Sequence, residues 1–202
     1  MKLYTTSASP NGRRVNIAVA EKGLEIEKQE IDLAGAENLS DEFRARNPFG
    51  RVPVLQLEDG TYLSESVAIT RYLDSLHPHP PLFGSNGLEQ SQVEMWNRRV
   101  ELNLLVPVAQ AFRNLSGMFK DREKISKEWG QISAEVAKDT VPLFDEQLAK
   151  TKFVAGNYFS VVDISLLCTL DFAKATGQEL PFDLPHISRW HRLVSERPSA
   201  KA

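Results

Sequence analysis

A chain of 202 residues is long enough to form one large hydrophobic core or two smaller ones. Hydrophobic residues make up 42% of it and charged residues 25%, a composition that argues against a disordered chain. The net charge of -3 gives no reason to expect a nucleic acid or an anionic membrane as partner, and the single cysteine, Cys168, excludes an internal disulfide.

Neither a signal peptide nor a membrane span is predicted. The first residues, MKLYTTSAS, contain no long apolar stretch, and no segment approaches the roughly 20 apolar residues that a spanning helix needs. The four histidines form no metal-ligand pattern, and Cys168 lies in an apolar helical segment where cysteine is usually an inert core residue. We therefore expect a cytoplasmic protein without a bound metal.

The first 76 residues alternate strand and helix signals in the order β-α-β-α-β-β-α. The strands are predicted from alternating or continuous apolar residues, and Asp59-Gly60 is a strong hairpin signal between the last two. The seven segments are a strand at 2–5, a helix from Ser9 to about Gly23, a strand at 25–33, a helical turn opening at Ser40, a strand at 51–57, a strand at 62–63 and a helix at 64–76. This order is typical of a thioredoxin-like domain.

Residues 77–87, HPHPPLFGSNG, interrupt this pattern and are predicted to be a linker. Beyond it every periodic segment is helical, so residues 88–202 are predicted to form an all-α bundle. The expected helices cover about 88–115, 121–149, 160–175 and 186–197. The third of these is apolar around most of its circumference, which predicts a buried central helix.

The turn SPNG, residues 9–12, admits two interpretations. Ser9 is a favourable N-cap residue, and Pro10 occupies the first helical position, where proline is well tolerated. The free backbone N–H groups and the positive dipole end at the same place would also favour a bound anion or thiolate. The local sequence favours the simpler interpretation, a helix cap, since most capped helices bind no ligand.

Four segments together resemble cytosolic glutathione transferases, of a bacterial serine-type or Nu-like kind, over essentially the full chain. In chain order they are SPNGRRV, NPFGRVPVL, SESVAITRYL and FVAGNYFSVVDISL. The resemblance implies a glutathione-binding domain at 1–76, the linker at 77–87 and a domain at 88–202 that holds the electrophile pocket. It also implies that glutathione is the co-substrate and that the protein is a homodimer.

The resemblance assigns the glutathione thiol to the start of the first helix. Ser9 matches the activating hydroxyl of the serine-type enzymes, and a donor is needed there because a thiol with a pKa of about 8.5 is mostly protonated at neutral pH. Asn11 is a second possible donor to the sulfur. Tyr4 and Ser7 are rival hydroxyls, as are the two threonines at positions 5 and 6. We favour Ser9 because of its position at the helix start.

The remaining glutathione contacts follow from the same resemblance. Pro53 is expected to be cis, so that the main chain of Val52 can pair with the cysteinyl unit. Glu65 would bind the γ-glutamyl ammonium group and Ser66 its carboxylate, while Arg51 would balance the glycyl carboxylate.

Three further predictions concern residues outside these contacts. Phe112 and Met118 are candidates for an apolar electrophile pocket. Ser160 and Asp163, in the run SVVD, are predicted to form a capping box with a structural role. Arg13 and its neighbour Arg14 could raise the local positive potential, but the simpler interpretation, solvated helix residues, is favoured for both.

The predicted activity is conjugation of the glutathione thiolate to small apolar electrophiles, a detoxification reaction. The Ser-Pro-Asn turn also resembles a bacterial group with Thr-Pro-Asn turns that reduces disulfides with two glutathione molecules, which makes disulfide reduction an alternative. A non-catalytic interaction protein with the transferase fold is a second alternative, because a fold does not determine function. The turn lacks the cysteine of the zeta, omega and beta types, so no mixed disulfide can form there.

Overall fold

The computed structural model describes all 202 residues, and its first unit is built on a four-stranded sheet. In chain order its elements are β1 (Lys2–Thr5), α1 (Pro10–Glu21), β2 (Glu27–Glu30), α2 (Asp41–Arg46), β3 (Val54–Gln56), β4 (Tyr62–Ser64) and α3 (Ser66–Leu76). The strand order is β2-β1-β3-β4, with β2 parallel to β1 and the other neighbours antiparallel. The predicted thioredoxin-like arrangement is confirmed.

The two faces of the sheet contact two different hydrophobic cores, because successive side chains of a strand point to opposite sides. In β1, Leu3 belongs to the core that includes Val15 of α1 and Ile69 of α3. Its neighbour Tyr4 belongs to a second core with Phe43 of α2. Helices α1 and α3 therefore cover one face of the sheet, and α2 covers the other.

The second unit is helical, as predicted. Its helices are α4 (Gly87–Val100), α5 (Val106–Ser116), α6 (Lys127–Lys150), α7 (Val161–Ala175) and α8 (Pro185–Ser195). Eleven residues of α7 are buried, which confirms the prediction of a buried central helix from its apolar circumference.

Two helix predictions differ from the structure. The segment predicted as one helix contains a π-helical turn at Glu101–Leu105. Pro107 follows it and has no N–H to donate, which disfavours a regular α-helical turn there. The helix predicted from residue 121 begins at Lys127, because Gly117 adopts a left-handed conformation that ends α5 and Ser126 then caps α6.

The compact units differ from the predicted ranges, since the first comprises residues 1–83 and 197–202 and the second residues 84–196. Most of the predicted linker belongs to the first unit because it bonds to α3. The N–H of Leu82 donates to Asp74 over 2.9 Å, and the Arg71 guanidinium lies 4.2 Å from the centre of the Phe83 ring.

The last residues of the chain also pack on the first unit, which the sequence did not predict. Arg197 forms two hydrogen bonds with Glu21, of 2.8 and 2.7 Å, at the end of α1. Near the start of the same helix, Nη2 of Arg13 donates to the carbonyl oxygen of Ala200 over 3.1 Å. This C-terminal clasp, residues 197–202, thus holds α1 at both ends.

Candidate active site at the start of the first helix

The start of α1 offers a hydroxyl that the helix itself does not use. Ser9 has the extended backbone of an N-cap residue, and its carbonyl accepts from the N–H of Arg13 over 2.9 Å. Its side chain, however, accepts no hydrogen bond from the first turn, so the capping bond expected from the sequence is absent. Pro10 supplies no N–H, and the free N–H groups of the first turn remain beside a part-exposed hydroxyl. The arrangement suits an anion.

The rival hydroxyls are committed elsewhere or buried. The Tyr4 hydroxyl donates to Gln56 over 2.9 Å, and the Ser7 hydroxyl donates to Glu30 over 3.3 Å. The two threonines at positions 5 and 6 are buried. Ser9 is therefore the early hydroxyl that is both accessible and uncommitted.

Gly12 lets the start of α1 approach the end of β1, a feature that the sequence analysis missed. A Cβ atom at this position would lie 2.2 Å from the carbonyl oxygen of Thr6 and 2.6 Å from Oγ1 of Thr5. No larger residue fits against this backbone. The close approach fixes where the Ser9 turn leaves the sheet, because Ser9 N–H also donates to Thr6 over 3.1 Å.

A small hydrogen-bond cluster joins the starts of α1 and α3. The Oδ1 atom of Asn11 accepts from Nη1 of Arg14 over 3.0 Å and from Oγ of Ser66 over 3.3 Å. Arg14 is only 2% exposed, so its interpretation as a solvated helix residue was wrong. Arg14 lies one helical turn before Ala18, on the packed face of α1, and this helical phase was the signal that could have found it.

The predicted main-chain contact lies in the loop before β3. The Val52–Pro53 peptide bond is cis, as the resemblance implied. Neither the N–H nor the C=O of Val52 takes part in the sheet or in a turn hydrogen bond, so both are available to a ligand. The side chain of Asn47, 2% exposed, donates to the carbonyl of Arg51 over 2.8 Å and holds the loop in place. The Arg51 residue itself is exposed.

The start of α3 carries an unusual backbone. Glu65 has φ 70° and ψ 115°, although it is not glycine. Such a conformation is costly for a side chain with a Cβ and is found mainly where function maintains it. It places an exposed carboxylate directly before Ser66, whose N–H begins a helix. An acid and a helix N-terminus side by side can hold an ammonium and a carboxylate of one ligand.

The two candidates for the electrophile pocket do not share a surface in the second unit. Phe112 packs edge-on against Phe172, with ring centres 5.1 Å apart, and lines a groove of about 460 Å³ together with Leu115 and Leu180. Met118 is half exposed and does not line this groove.

Ser160 and Asp163 form the capping box at the start of α7. The Asp163 carboxylate is fully buried and accepts from the N–H of Ser160 over 3.0 Å, from the N–H of Val154 over 3.1 Å and from Nε1 of Trp190 over 2.8 Å. Burial raises the pKa of this carboxyl to about 6, against the lowering effect of these hydrogen bonds. The group belongs to the packing of the second unit.

Comparison with known proteins places this geometry in a family. The model of the glutathione S-transferase N-terminal domain matches residues 3–81, and that of the C-terminal domain matches residues 108–198. The chain belongs to the glutathione transferase family. It is 37% identical to glutathione S-transferase 2 of Saccharomyces cerevisiae over 205 residues, covering 100% of this chain and 88% of the yeast protein.

Two solved structures show the same architecture. A glutathione S-transferase domain-containing protein of Marinobacter aquaeolei VT8 has a TM-score of 0.95 and 38% identity, with 98% of this chain and 99% of the other covered. Gtt2 of Saccharomyces cerevisiae has a TM-score of 0.95 and 36% identity, with 100% and 99% covered. The protein is thus a glutathione transferase, and glutathione is the co-substrate that its family uses. None of its helices has the length and apolarity that crossing a membrane requires.

Proposed function

We propose that this glutathione transferase joins the glutathione thiolate to small apolar electrophiles, with Ser9 as the residue that stabilises the thiolate. The uncommitted Ser9 hydroxyl at the N-terminus of α1 carries the proposal. Its O–H donates to the sulfur, and the free N–H groups of the first turn add positive potential, so the thiol loses its proton to solvent at a lower pH. The sulfur then forms a bond to the electrophilic carbon, and the leaving group departs with the electron pair of the broken bond.

The rest of the tripeptide is proposed to bind along the first unit. The free N–H and C=O of Val52 pair with the cysteinyl unit beside Pro53. Glu65 binds the γ-glutamyl ammonium, and Ser66 with its helix start binds the carboxylate. Arg51, exposed at the loop before β3, balances the glycyl carboxylate. Catalysis consists of holding and stabilising the thiolate, without a covalent enzyme intermediate.

Phe112 is proposed to contact the electrophile, because it lines an apolar groove, and Met118 is the weaker candidate since it lies outside that groove. Phe112→Ala should raise KM for the electrophile severalfold and leave the Kd of glutathione unchanged. Met118→Ala tests the weaker candidate and should raise this KM less. An unchanged KM in Phe112→Ala would remove Phe112 from the electrophile site.

The test of the thiolate assignment is an ultraviolet titration of bound glutathione. The thiolate absorption should appear well below the pKa of the free thiol, and Ser9→Ala should raise the bound pKa by one unit or more, about a tenfold loss of thiolate stabilisation. Ser7→Ala is the matched control, since its hydroxyl is bonded to Glu30. A low thiol pKa that survives Ser9→Ala would transfer the role to Asn11 or to the helix start.

The same preparation separates the alternative activities. Turnover of a disulfide with two glutathione molecules and none of an electrophile would favour the reductase, to which the amide of Asn11 is suited. Absence of glutathione binding would leave a non-catalytic interaction protein. We place the enzyme in the cytoplasm with a role in detoxification, which cell fractionation can test.

The protein is proposed to act as a homodimer. Phe49 is 80% exposed in the first unit. In the second, the exposed apolar residues Leu88 and Met95 of α4 and Leu102 of the π-helical turn recur every seven residues, a spacing that suits a partner surface. Analytical ultracentrifugation should show a mass twice that of the chain.

A further inference from the structure

The hydrogen-bond cluster at the starts of α1 and α3 contains a buried cation. Arg14 is 2% exposed and lies one turn into α1. A guanidinium withdrawn from water needs hydrogen-bond partners, and one of them is the side chain of Asn11, at 3.0 Å. Its neighbour Arg13 carries the same charge but bonds to the C-terminal clasp through the carbonyl of Ala200.

The contacts of Asn11 fix the orientation of its amide. A guanidinium can only donate, so the atom that accepts from Arg14 must be the amide oxygen. The Ser66 hydroxyl converges on the same oxygen over 3.3 Å. Because the amide group is planar, two donors on its oxygen direct the NH2 group away from both. That NH2 group donates no hydrogen bond within the protein. It is also not one of the fully buried polar groups that lack a partner, so it is open to a ligand or to solvent.

Asn11 thus keeps two oriented N–H donors uncommitted in the first turn of α1, two residues after Ser9. We infer that Arg14 is a positioning residue, which acts through Asn11 to hold this amide where it stabilises the glutathione thiolate. The inference rests on the proposed binding of glutathione at the start of α1. It also ties the thiol end of the ligand to the γ-glutamyl end, because Ser66 shares the same oxygen.

A purely electrostatic role for Arg14 predicts different behaviour from a positioning role. If its charge alone matters, removing Arg14 should shift the thiol pKa whether or not Asn11 is present. If it acts through Asn11, the shift should vanish once Asn11 is gone. A double-mutant cycle separates the two.

The experiment uses the full chain and titrates the thiolate absorption of bound glutathione in Arg14→Met, Asn11→Ala and the double variant. Each single variant should raise the thiol pKa by about one unit, the tenfold change expected when one hydrogen bond to an anion is lost, and the double variant should raise it no further. Arg13→Met is the matched control and should shift the pKa by less than about 0.3 unit, since a part-exposed charge is screened. In Arg13→Met the Kd of S-methylglutathione, which has no thiol to ionise, should also change less than twofold.

Two outcomes would contradict the inference. An unchanged thiol pKa in Arg14→Met, or an additive shift in the double variant, would overturn it while leaving glutathione binding intact. If wild-type protein fails to bind glutathione, the proposed function fails instead. Should Arg14→Met not fold, Arg14→Lys keeps the charge but not the planar fork. It should still raise the thiol pKa, and only when Asn11 is present.

Discussion

The buried carboxylate of Asp163 makes a sharp prediction about pH and stability. Trp190→Phe removes the Nε1–H that donates to Asp163 over 2.8 Å and keeps most of the ring. A hydrogen bond to a charged group contributes about 1.5–3 kcal/mol, and the smaller ring leaves a cavity of roughly another 1 kcal/mol. We expect the variant to lose about 3 kcal/mol of unfolding free energy at pH 8.

The sign of the pH effect follows from the raised pKa of Asp163, which is about 6 in the folded protein against the usual 3.8 of an aspartate side chain. A carboxyl whose folded pKa is raised stabilises the fold most at low pH, and this contribution is lost as pH rises through about 6. The hydrogen bond from Trp190 lowers this pKa, so removing the donor raises the pKa further. The deficit of Trp190→Phe should therefore be smaller at pH 5 than at pH 8, by about 1 kcal/mol, the order of one hydrogen bond.

Urea unfolding followed by far-ultraviolet circular dichroism, at one fixed protein concentration, measures both deficits. Trp96→Phe is the matched control, because the Trp96 ring packs at 6.1 Å from the ring of Phe144 and bonds to no carboxylate. Its deficit should be the same at both pH values. If Trp190→Phe lost the same unfolding free energy at pH 5 and pH 8, the reasoning that the Trp190 indole stabilises an ionised Asp163 with a raised pKa would be refuted.

Three further expectations concern the first unit. Gly12→Ala should lower the free energy of unfolding by about 2 kcal/mol or more and abolish glutathione binding, because its Cβ would overlap the backbone. Gly87→Ala is the control, since a Cβ there meets nothing within 4 Å, and it should have neither effect. Urea titration measures the stability and calorimetry the binding. Arg197→Ala should cost about 2 kcal/mol at pH 7 in the same urea assay. That loss should shrink at pH 4. Burial raises the pKa of Glu21, but the hydrogen bonds from the clasp outweigh it and lower the pKa, so the stability that the ionised Glu21 contributes is lost as pH falls. Phe49→Ser should shift the sedimenting species from dimer toward monomer, and an unchanged mass would exclude Phe49 from the interface.

The elements that the sequence predicted best are those whose pattern of apolar residues is compatible with only one type of secondary structure. Leu3 and Tyr4 alternate across β1, and the segment from Val161 is apolar on nearly every side, so a two-faced strand and a buried helix follow directly. The start of α6 was misplaced because residues 121–126 carry helix-compatible side chains. Its position is set by Ser126, whose N–H bonds to Asn114 over 2.8 Å in the preceding helix.

The candidate site shows a different limit. Residue type identified Ser9 as suited to a helix start, but only the side-chain orientation shows that its hydroxyl leaves the helix unbonded. The close approach at Gly12 depends on the path of Thr5 and Thr6, which no spacing in the sequence reveals. The clasp at residues 197–202 depends on contacts more than 170 residues apart in the chain.

The charge of the protein illustrates why the site could not be predicted from composition. The net charge of -3 suggests a surface that repels anions, yet the proposed ligand is an acidic tripeptide. The opposing field is local: the helix N-termini at Ser9 and Glu65 are linked by the hydrogen-bond cluster that contains the buried guanidinium of Arg14. Because this cation is removed from solvent, salt screens it far less than the exposed carboxylates that set the net charge. The proposed recognition of the ligand therefore rests on local groups, namely two helix N-termini and the Asn11 amide that Arg14 holds in place.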